Sequence, residues 1–143
     1  MKKIIIYTDG SCKKNPGLGG WAAVLLFQGY KKKIYGKYNV TTNNQMELVA
    51  IVNSLKYLKK PYNIKIITDS KYVKDGIKKC IYNWQKYFKE YNNSIKNIKL
   101  WKKLYIMFHK KKHKISCFWI KGHNFNKINI KIDNLSKKAT NYE

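Results

Sequence analysis

The sequence predicts an α/β domain, because of its hydrophobic patterning, its turn residues and one helix-length connection. Apolar runs rich in β-branched residues alternate with segments of helical spacing, in the order three strands, helix, strand, helices, strand, helix. A helix-sized crossover precedes the fourth strand, so the first and fourth strands can run parallel. At 143 residues, 44% of them hydrophobic, the chain can form one packed domain.

The N-terminal third of the chain predicts three strands. Ile4–Thr8 is the first, and the glycines within residues 17–20 indicate a turn before the second, Trp21–Phe27. Gln28-Gly29 predicts a tight connection to a third and more exposed strand, Lys31–Val40.

Helical spacing begins after the third strand. Asn43 or Asn44 can cap this helix, and Pro61 lies just beyond its end. Its apolar positions are Leu48, Ile51, Val52, Leu55 and Leu58. A fourth strand, Ile64–Thr68, leads directly into the next helix, which Ser70 can cap.

The C-terminal half predicts more helix and one more strand. Residues 82–108 are helical in pattern, with a polar break at Asn92-Asn93-Ser94, and Lys114–Ile120 is a fifth strand. The last segment is ambiguous, because INIKID at 128–133 alternates with the period of a strand. Read as a helix, it places Ile128, Ile132, Leu135 and Ala139 on one face. We predict the helix.

The charge of the chain favours a polyanionic partner without assigning a function. The formal net charge is +24, from 31 lysines and no arginine against seven acids, and such a field attracts nucleic acid or an anionic membrane. Because lysine, asparagine, isoleucine and tyrosine have A/T-rich codons, base composition is an alternative origin of the excess. Three cysteines without CxxC spacing favour a reducing compartment, and no apolar run is long enough to span a membrane.

Four of the seven acids can meet at one end of the predicted sheet. Asp9 and Asp69 each follow an apolar strand, and parallel strands bring both to the carboxyl edge, where open α/β sheets bind ligands. Glu47 is expected in the first turn of the helix after strand three, and Asp133 near the start of the final helix. A single Asp after a strand is more often a turn former or a cap. Four carboxylates together repel one another unless a cation neutralises them, and Mg²⁺ prefers such oxygen ligands.

With these motifs in place, the sequence resembles a type 1 ribonuclease H. The matching motifs run in family order from Ile4 to about Ala139: YTDGSCKKNPGLGGW, TTNNQMEL, ITDSKYVKDGI, the tryptophans 84 and 101, IKGHN, and a final Asp followed by Leu. The resemblance implies a ribonuclease H-like α/β fold, with a five-stranded mixed sheet flanked by helices on both faces, over a single domain of residues 1–143. It also implies sequence-independent endonuclease cleavage of the RNA strand of RNA–DNA hybrids by a two-metal-ion mechanism, leaving 5′-phosphate and 3′-hydroxyl ends.

The resemblance assigns roles to individual residues. The implied catalytic residues are Asp9, Glu47, Asp69, Asp133 and His123, of which the four acids bind two Mg²⁺ ions, or Mn²⁺ as a substitute. His123 matches a loop histidine that assists proton transfer and product release. The implied hybrid contacts are Asn15, Asn43 and Gln45 in the minor groove and Thr42 on a DNA-strand phosphate.

Residues from about 77 to 106 resemble a helical basic protrusion that some members use to grip the DNA strand. Residues 77–114 carry twelve lysines and one acid. Lys86 and Lys89 are expected to contact phosphates, which gives salt-sensitive, sequence-independent affinity, while Trp84 and Trp101 are at least partly packed. The alternative is that the lysines form only a solvated face.

Other interpretations stay open. One is a non-catalytic nucleic-acid-binding protein with the same fold, and another is a different nuclease of this broad fold, such as a resolvase or integrase relative. Lys71 departs from the family pattern and places a cation near the metal site, where it either competes with metal or holds substrate phosphate. Ile130-Lys131 departs too, because it replaces a polar pair ahead of Asp133.

The remaining expectations concern a zinc site, the oligomeric state and the location of the protein. His109, His113 and Cys117 recur every four residues, but the run bridges a helix end and a strand, so no zinc site is expected. A monomer in the cytoplasm is expected, with no membrane partner and no appended domain.

Overall fold

The computed structural model describes residues 1–82 and 96–121, which form a five-stranded sheet and three helices. The strands are β1 (Lys3–Cys12), β2 (Gly17–Phe27), β3 (Tyr30–Thr41), β4 (Asn63–Thr68) and β5 (Lys114–Trp119). The helices are α1 (Asn43–Tyr57), α2 (Lys71–Tyr82) and α3 (Ile98–Lys110). None of the described helices is both long and apolar enough to cross a bilayer.

The sheet is mixed, with the strand order β3-β2-β1-β4-β5. β1 pairs antiparallel with β2, and β2 pairs antiparallel with β3. β4 lies parallel to β1, and β5 lies parallel to β4. The predicted five-stranded mixed sheet and the parallel pairing of its first and fourth strands are therefore confirmed.

Alternation along the strands divides the core between the two faces of the sheet. Ile4 and Ile6 of β1 point into the larger cluster, which contains buried side chains from each of the three described helices. Tyr7, Val24 and Ile67 form a smaller cluster on the opposite face. No described helix packs on that second face, and the predicted final helix falls on residues 122–143, outside the described part of the chain.

The first two strands are longer than the sequence predicts. β1 continues through Asp9 to Cys12 because these residues pair with β2, from Asp9 opposite Ala22 to Cys12 opposite Gly19. The prediction of a turn within residues 17–20 is wrong, because β2 already begins at Gly17. A Cβ on Gly19 would collide with Thr41 at the end of β3, so this position needs glycine for close packing rather than for a turn.

The N-cap of α1 is Thr42, and the prediction of Asn43 or Asn44 is wrong. The Thr42 hydroxyl accepts from the Gln45 backbone N–H at 3.2 Å, and Gln45 Oε1 accepts from the Thr42 N–H at 3.1 Å. This reciprocal capping box satisfies two donors at the helix start. The helix begins at Asn43, so Glu47 lies beyond the first turn, which contains no acid.

Two other local predictions are confirmed. Gln28 and Gly29 both have positive φ, 48° and 79°, and join β2 to β3 through a two-residue hairpin turn. Ser70 caps α2, since its hydroxyl accepts from the Val73 backbone N–H at 3.1 Å.

Trp101 packs between α3 and α2, which confirms the prediction that this side chain is at least partly packed. It is 4% exposed, and its Nε1–H donates to the Tyr72 hydroxyl at 3.0 Å. The ring lies against Gly76, where an added Cβ would collide with it. Trp84 and the polar break at residues 92–94 lie outside the described residues.

His113 ties β5 to the segment before β4. Its Nδ1 accepts from the Tyr62 backbone N–H at 3.1 Å, and Cys117 is buried in the sheet, where burial raises its pKa to about 11. His113 and Cys117 therefore have structural roles in the packing of the sheet. His109 lies exposed at the end of α3. Burial, together with the positive charge of Lys111, holds the pKa of His113 below its ordinary value of 6.5.

We expect His113 to make the protein less stable in mild acid. Between pH 6.5 and the lower folded pKa of His113, the unfolded chain binds more protons than the folded one, so stability falls as pH falls. His113→Gln should flatten the fall in melting temperature between about pH 7 and pH 5.5. Exposed His109→Gln is the matched control and should retain the wild-type slope. Equal slopes for the wild type and His113→Gln would contradict the assignment.

Candidate metal centre

Three acids that are far apart in the sequence meet at the carboxyl end of β1 and β4. Asp9, Glu47 and Asp69 each offer a carboxylate oxygen, and these oxygens lie within 4.8 Å of one another. Asp9 is 5% exposed and Glu47 is 7% exposed, while Asp69 is half-buried. Within residues 1–82 and 96–121, this is the only group of three or more His, Cys, Asp or Glu side chains close enough to hold one ion.

The register of the parallel strands brings Asp9 to Asp69. Tyr7 of β1 pairs with Ile67 of β4, and each acid follows its paired residue by two positions. Side chains alternate along a strand, so each acid emerges on the same side as Tyr7 and Ile67, which share one core cluster. The parallel pairing that the sequence predicts therefore explains the approach of these two carboxylates.

Glu47 reaches the two strand acids because α1 lies very close to β1. A Cβ on Gly10 would lie 2.5 Å from both the backbone nitrogen of Glu47 and the carbonyl carbon of Met46. Only glycine at position 10 permits this distance between the two backbones. We did not predict this role for Gly10 from the sequence, although a glycine inside a strand is a recognised sign of close backbone approach.

Trp119 at the end of β5 holds the backbone of Asp69. Its Nε1–H donates to the Asp69 carbonyl at 2.9 Å. The Lys71 ammonium lies 4.8 Å from the centre of the Trp119 ring, a cation–π arrangement. Lys71 therefore has a ring partner that the sequence did not suggest, and the three residues form a support for the Asp69 side of the cluster.

The polar residues expected to contact substrate surround the start of α1. Asn15 Oδ1 accepts from the Asn43 backbone N–H at 2.9 Å, and both residues are exposed. Thr42 and Gln45 form the capping box, and Gln45 Oε1 also accepts from the Thr41 hydroxyl at 2.9 Å. All four expected residues thus lie at the end of the helix that carries Glu47, and two of them already have a structural role.

The remaining expected site residues lie outside the described residues. They are Asp133, His123, Lys86 and Lys89.

The donor set fits a hard divalent cation. All three groups offer carboxylate oxygens, which Mg²⁺ and similar ions prefer over nitrogen or sulfur. Carboxylates at this separation repel one another when ionised, and a bound cation offsets that repulsion. Burial of Asp9 and Glu47 strengthens both effects, because water screens them less.

Comparison with known proteins identifies the family of this chain. The family model described as RNase H matches residues 1–141. The chain belongs to the RNase H family. It is therefore a nuclease of the hydrolase class. The Ribonuclease H of Wolbachia pipientis wMel is 49% identical over 140 residues, covering 96% of this chain and 95% of that protein.

Solved structures show the same fold. LC9-RNase H1, described as a type 1 RNase H with the type 2 active-site motif, superposes with a TM-score of 0.84 at 22% identity. The match covers 98% of this chain and 72% of that one. LC11-RNase H1, solved in complex with an RNA/DNA hybrid, gives a TM-score of 0.67 at 21% identity and covers 96% of each chain.

Gly10→Ala should impair nuclease activity by separating Glu47 from the strand acids. The new Cβ meets backbone atoms of α1, which cannot rotate aside, so the helix must shift. A misplacement near 1 Å can lower turnover by about 10²-fold, and overpacking costs about 1–3 kcal/mol of stability. Steady-state turnover at saturating metal, together with thermal melting, measures both effects.

Gly29→Ala is the matched control for Gly10→Ala. It introduces strain at a φ of +79° in the β2–β3 turn, but no atom of the described residues lies within 4 Å of its new Cβ. It should lose stability and keep its turnover per folded molecule. If the two variants have the same turnover once corrected for folded fraction, Gly10 does not position Glu47.

Trp119→Phe should weaken metal activation by releasing the backbone of Asp69. The Asp69 carbonyl loses its donor, at a cost of about 1–3 kcal/mol where it stays unsatisfied. We expect the divalent-ion concentration for half-maximal activity to rise about tenfold, measured by metal titration at fixed substrate. Phe118→Leu removes the neighbouring Lys65–Phe118 pair, at 4.5 Å, and should leave the titration unchanged. A normal titration for Trp119→Phe would show that the support is dispensable.

Proposed function

We propose that this protein is an endonuclease that hydrolyses the RNA strand of RNA–DNA hybrids with two divalent ions. The observation that carries the proposal is the convergence of Asp9, Glu47 and Asp69 within 4.8 Å in a chain with only seven acids. Membership of the RNase H family supports the substrate class, and so does the RNA/DNA hybrid bound by LC11-RNase H1, a structure of the same fold. Asp133 is proposed as the fourth ligand.

Mg²⁺ is the proposed ion, with Mn²⁺ as a substitute. Asp9, Glu47 and Asp69, together with the proposed Asp133, would hold the two ions. Bound there, the ions would supply activation of a water and stabilisation of the leaving oxygen of a phosphodiester, which would leave 5′-phosphate and 3′-hydroxyl ends. The protein's own contribution is preorganisation. Gly10 and Trp119 hold the helix and strand that carry the acids, so little reorganisation is needed when charge develops.

His123 is the proposed proton-transfer residue. It follows β5 in the IKGHN segment, and its role rests on the matching motif. A histidine titrates close to neutral pH, so it can accept and return a proton during product release.

The start of α1 is the proposed contact surface for the hybrid. An A-form-like duplex presents a wide, shallow minor groove lined with 2′-hydroxyls, which short amide side chains can contact without reading sequence. The exposed pair Asn15 and Asn43 is joined by a hydrogen bond, which supports such a contact. Gln45 Oε1 accepts the capping hydrogen bond, so the side-chain amide nitrogen of Gln45 is the group that can donate to the hybrid. Thr42 lies at the N-terminus of the helix, a position that favours binding of a phosphate.

The basic helical segment is the proposed second contact, within a single domain of residues 1–143. α3 supports this, because Trp101 and Leu104 are buried while Lys99 and other lysines point outward. Lys103 lies beside Lys56 of α1 and lowers the pKa of Lys56, first through a side-chain hydrogen bond and then through its like charge. A bound polyanion would offset this crowding of positive charge. Lys86 and Lys89 are proposed to extend this surface.

A monomer in the cytoplasm remains the proposed state of the enzyme. The free thiols of Cys12, Cys80 and Cys117 support a reducing compartment.

A labelled-hybrid assay separates this proposal from its rivals. Incubation with hybrid, duplex DNA and duplex RNA, each with Mg²⁺, with Mn²⁺ and with chelator, should give metal-dependent cleavage of the hybrid's RNA strand alone. A non-catalytic binding protein would retain the hybrid without cutting it in any metal. A resolvase-like or integrase-like nuclease would cut duplex DNA instead.

Asp9→Asn should abolish cleavage while hybrid binding survives. Asparagine keeps the shape of aspartate but loses the charge that binds metal, and loss of several kcal/mol of transition-state stabilisation corresponds to about 10³-fold or more in turnover. Asp75→Asn removes an exposed acid of α2 outside the cluster and should keep near-wild-type turnover. Near-wild-type turnover of Asp9→Asn in Mg²⁺ would rule the proposal out.

A further inference from the structure

A cavity lies at the opposite end of the sheet from the acids. It is a cavity of about 720 Å³ beside Ile4 at the start of β1, the β2–β3 turn and the end of α1. Ile4 and Asp9 are five residues apart on β1, so the two sites are separated by roughly 17 Å along the strand. The volume is within the range of ordinary ligand sites, about 300–1,000 Å³.

Four aromatic side chains, Phe27, Tyr30, Tyr57 and Tyr62, line this cavity. Phe27 and Tyr62 pack edge to face, with ring centroids 5.8 Å apart. Tyr30 and Tyr57 are 73% and 51% exposed. Rings left this open contribute little to the core, but they present flat faces to a ligand.

Among the described residues, the charged lining of the cavity is entirely positive. It consists of Lys31, Lys32, Lys59 and Lys60, and no acid of residues 1–82 and 96–121 lines the cavity. Lys32 Nζ lies 5.7 Å from the centre of the Tyr57 ring, and Lys60 Nζ lies 5.9 Å from the centre of the Tyr62 ring. Each ammonium is therefore held beside an aromatic face, where it can reach an anionic group attached to a stacked ring.

We propose that this cavity binds single-stranded nucleic acid. Stacking of bases on aromatic rings, combined with lysine contacts to the backbone, is the usual chemistry of sequence-independent single-strand binding. The two open tyrosines favour bases over an acidic peptide, which would use the lysines but gains nothing particular from exposed rings. The site is separate from the metal centre, so a single-stranded extension of a nucleic acid bound elsewhere on the enzyme is a natural ligand.

The tyrosines provide the first test. Binding of a fluorescent oligothymidylate in chelator, followed by anisotropy, should weaken about tenfold in Tyr30→Ala and in Tyr57→Ala, since one stacked base is worth about 1–3 kcal/mol. Tyr35→Ala is the matched control, because Tyr35 is 54% exposed on β3 and does not line the cavity. It should bind within about twofold of wild type.

The lysines provide the second test. Lys59→Glu with Lys60→Glu should weaken oligothymidylate binding and reduce the salt dependence of the affinity by about 0.7 for each phosphate that the protein no longer neutralises. Lys37→Glu with Lys65→Glu makes the same charge change at exposed positions that do not line the cavity and should have a clearly smaller effect. Cleavage of a blunt-ended hybrid should be unchanged in the Lys59 and Lys60 variant, which separates this site from the metal centre.

Three outcomes would overturn the proposal. One is equal affinity in the cavity variants and the Tyr35→Ala control, which would mean that the oligonucleotide binds through diffuse charge. Another is binding of an acidic peptide of matched charge that depends on Tyr57 while oligothymidylate binding does not, which would make the cavity a peptide site. The third is photocrosslinking of the oligonucleotide only to residues outside the cavity. Crosslinks at Tyr30 or Tyr57 would support the proposal.

Discussion

The close approach of α1 to β1 at Gly10 is the contact on which the metal centre depends. Asp9 and Asp69 meet through strand pairing alone, which any parallel pair of strands would provide. Glu47 arrives from a different element, and its backbone nitrogen occupies the space that a side chain at position 10 would need. The packing of α1 on the sheet therefore also fixes the position of Glu47 as a metal ligand. Because this packing requires glycine at position 10, stability and activity depend on the same residue.

The same approach depends on where α1 begins. The Thr42–Gln45 capping box fixes the first turn, and Met46, fully buried in the next, packs between the helix and the sheet. A shift of one residue in the cap would rotate Glu47 by about 100° around the helix axis, away from the strand acids. Cap residues that look local in the sequence thus control a contact between distant segments.

The sequence alone predicts the features that depend on a regular hydrophobic period or on residues close together in the chain. The parallel direction of the first and fourth strands predicted that Asp9 and Asp69 share one edge, and Gly29 indicated the turn at Gln28-Gly29. Contacts between distant segments were not predictable in this way. The extension of β1 to Cys12 depends on pairing with β2, and the hydrogen bond from Trp119 to Asp69 joins residues fifty positions apart. The secondary-structure propensity of a residue carries no information about which distant residue it will contact.

The charge distribution explains how a strongly basic protein can keep an acidic centre. Three buried or half-buried carboxylates within 4.8 Å form a local negative site inside a molecule of net charge +24. The long-range field of the lysines attracts a polyanion from any direction, but salt screens it beyond about 10 Å. At shorter range, the acids would repel a phosphate unless a cation is bound between them. The lysines therefore act at long range and the acids at short range. The excess of lysine raises the local concentration of nucleic acid, while the acids keep the position at which metal must bind.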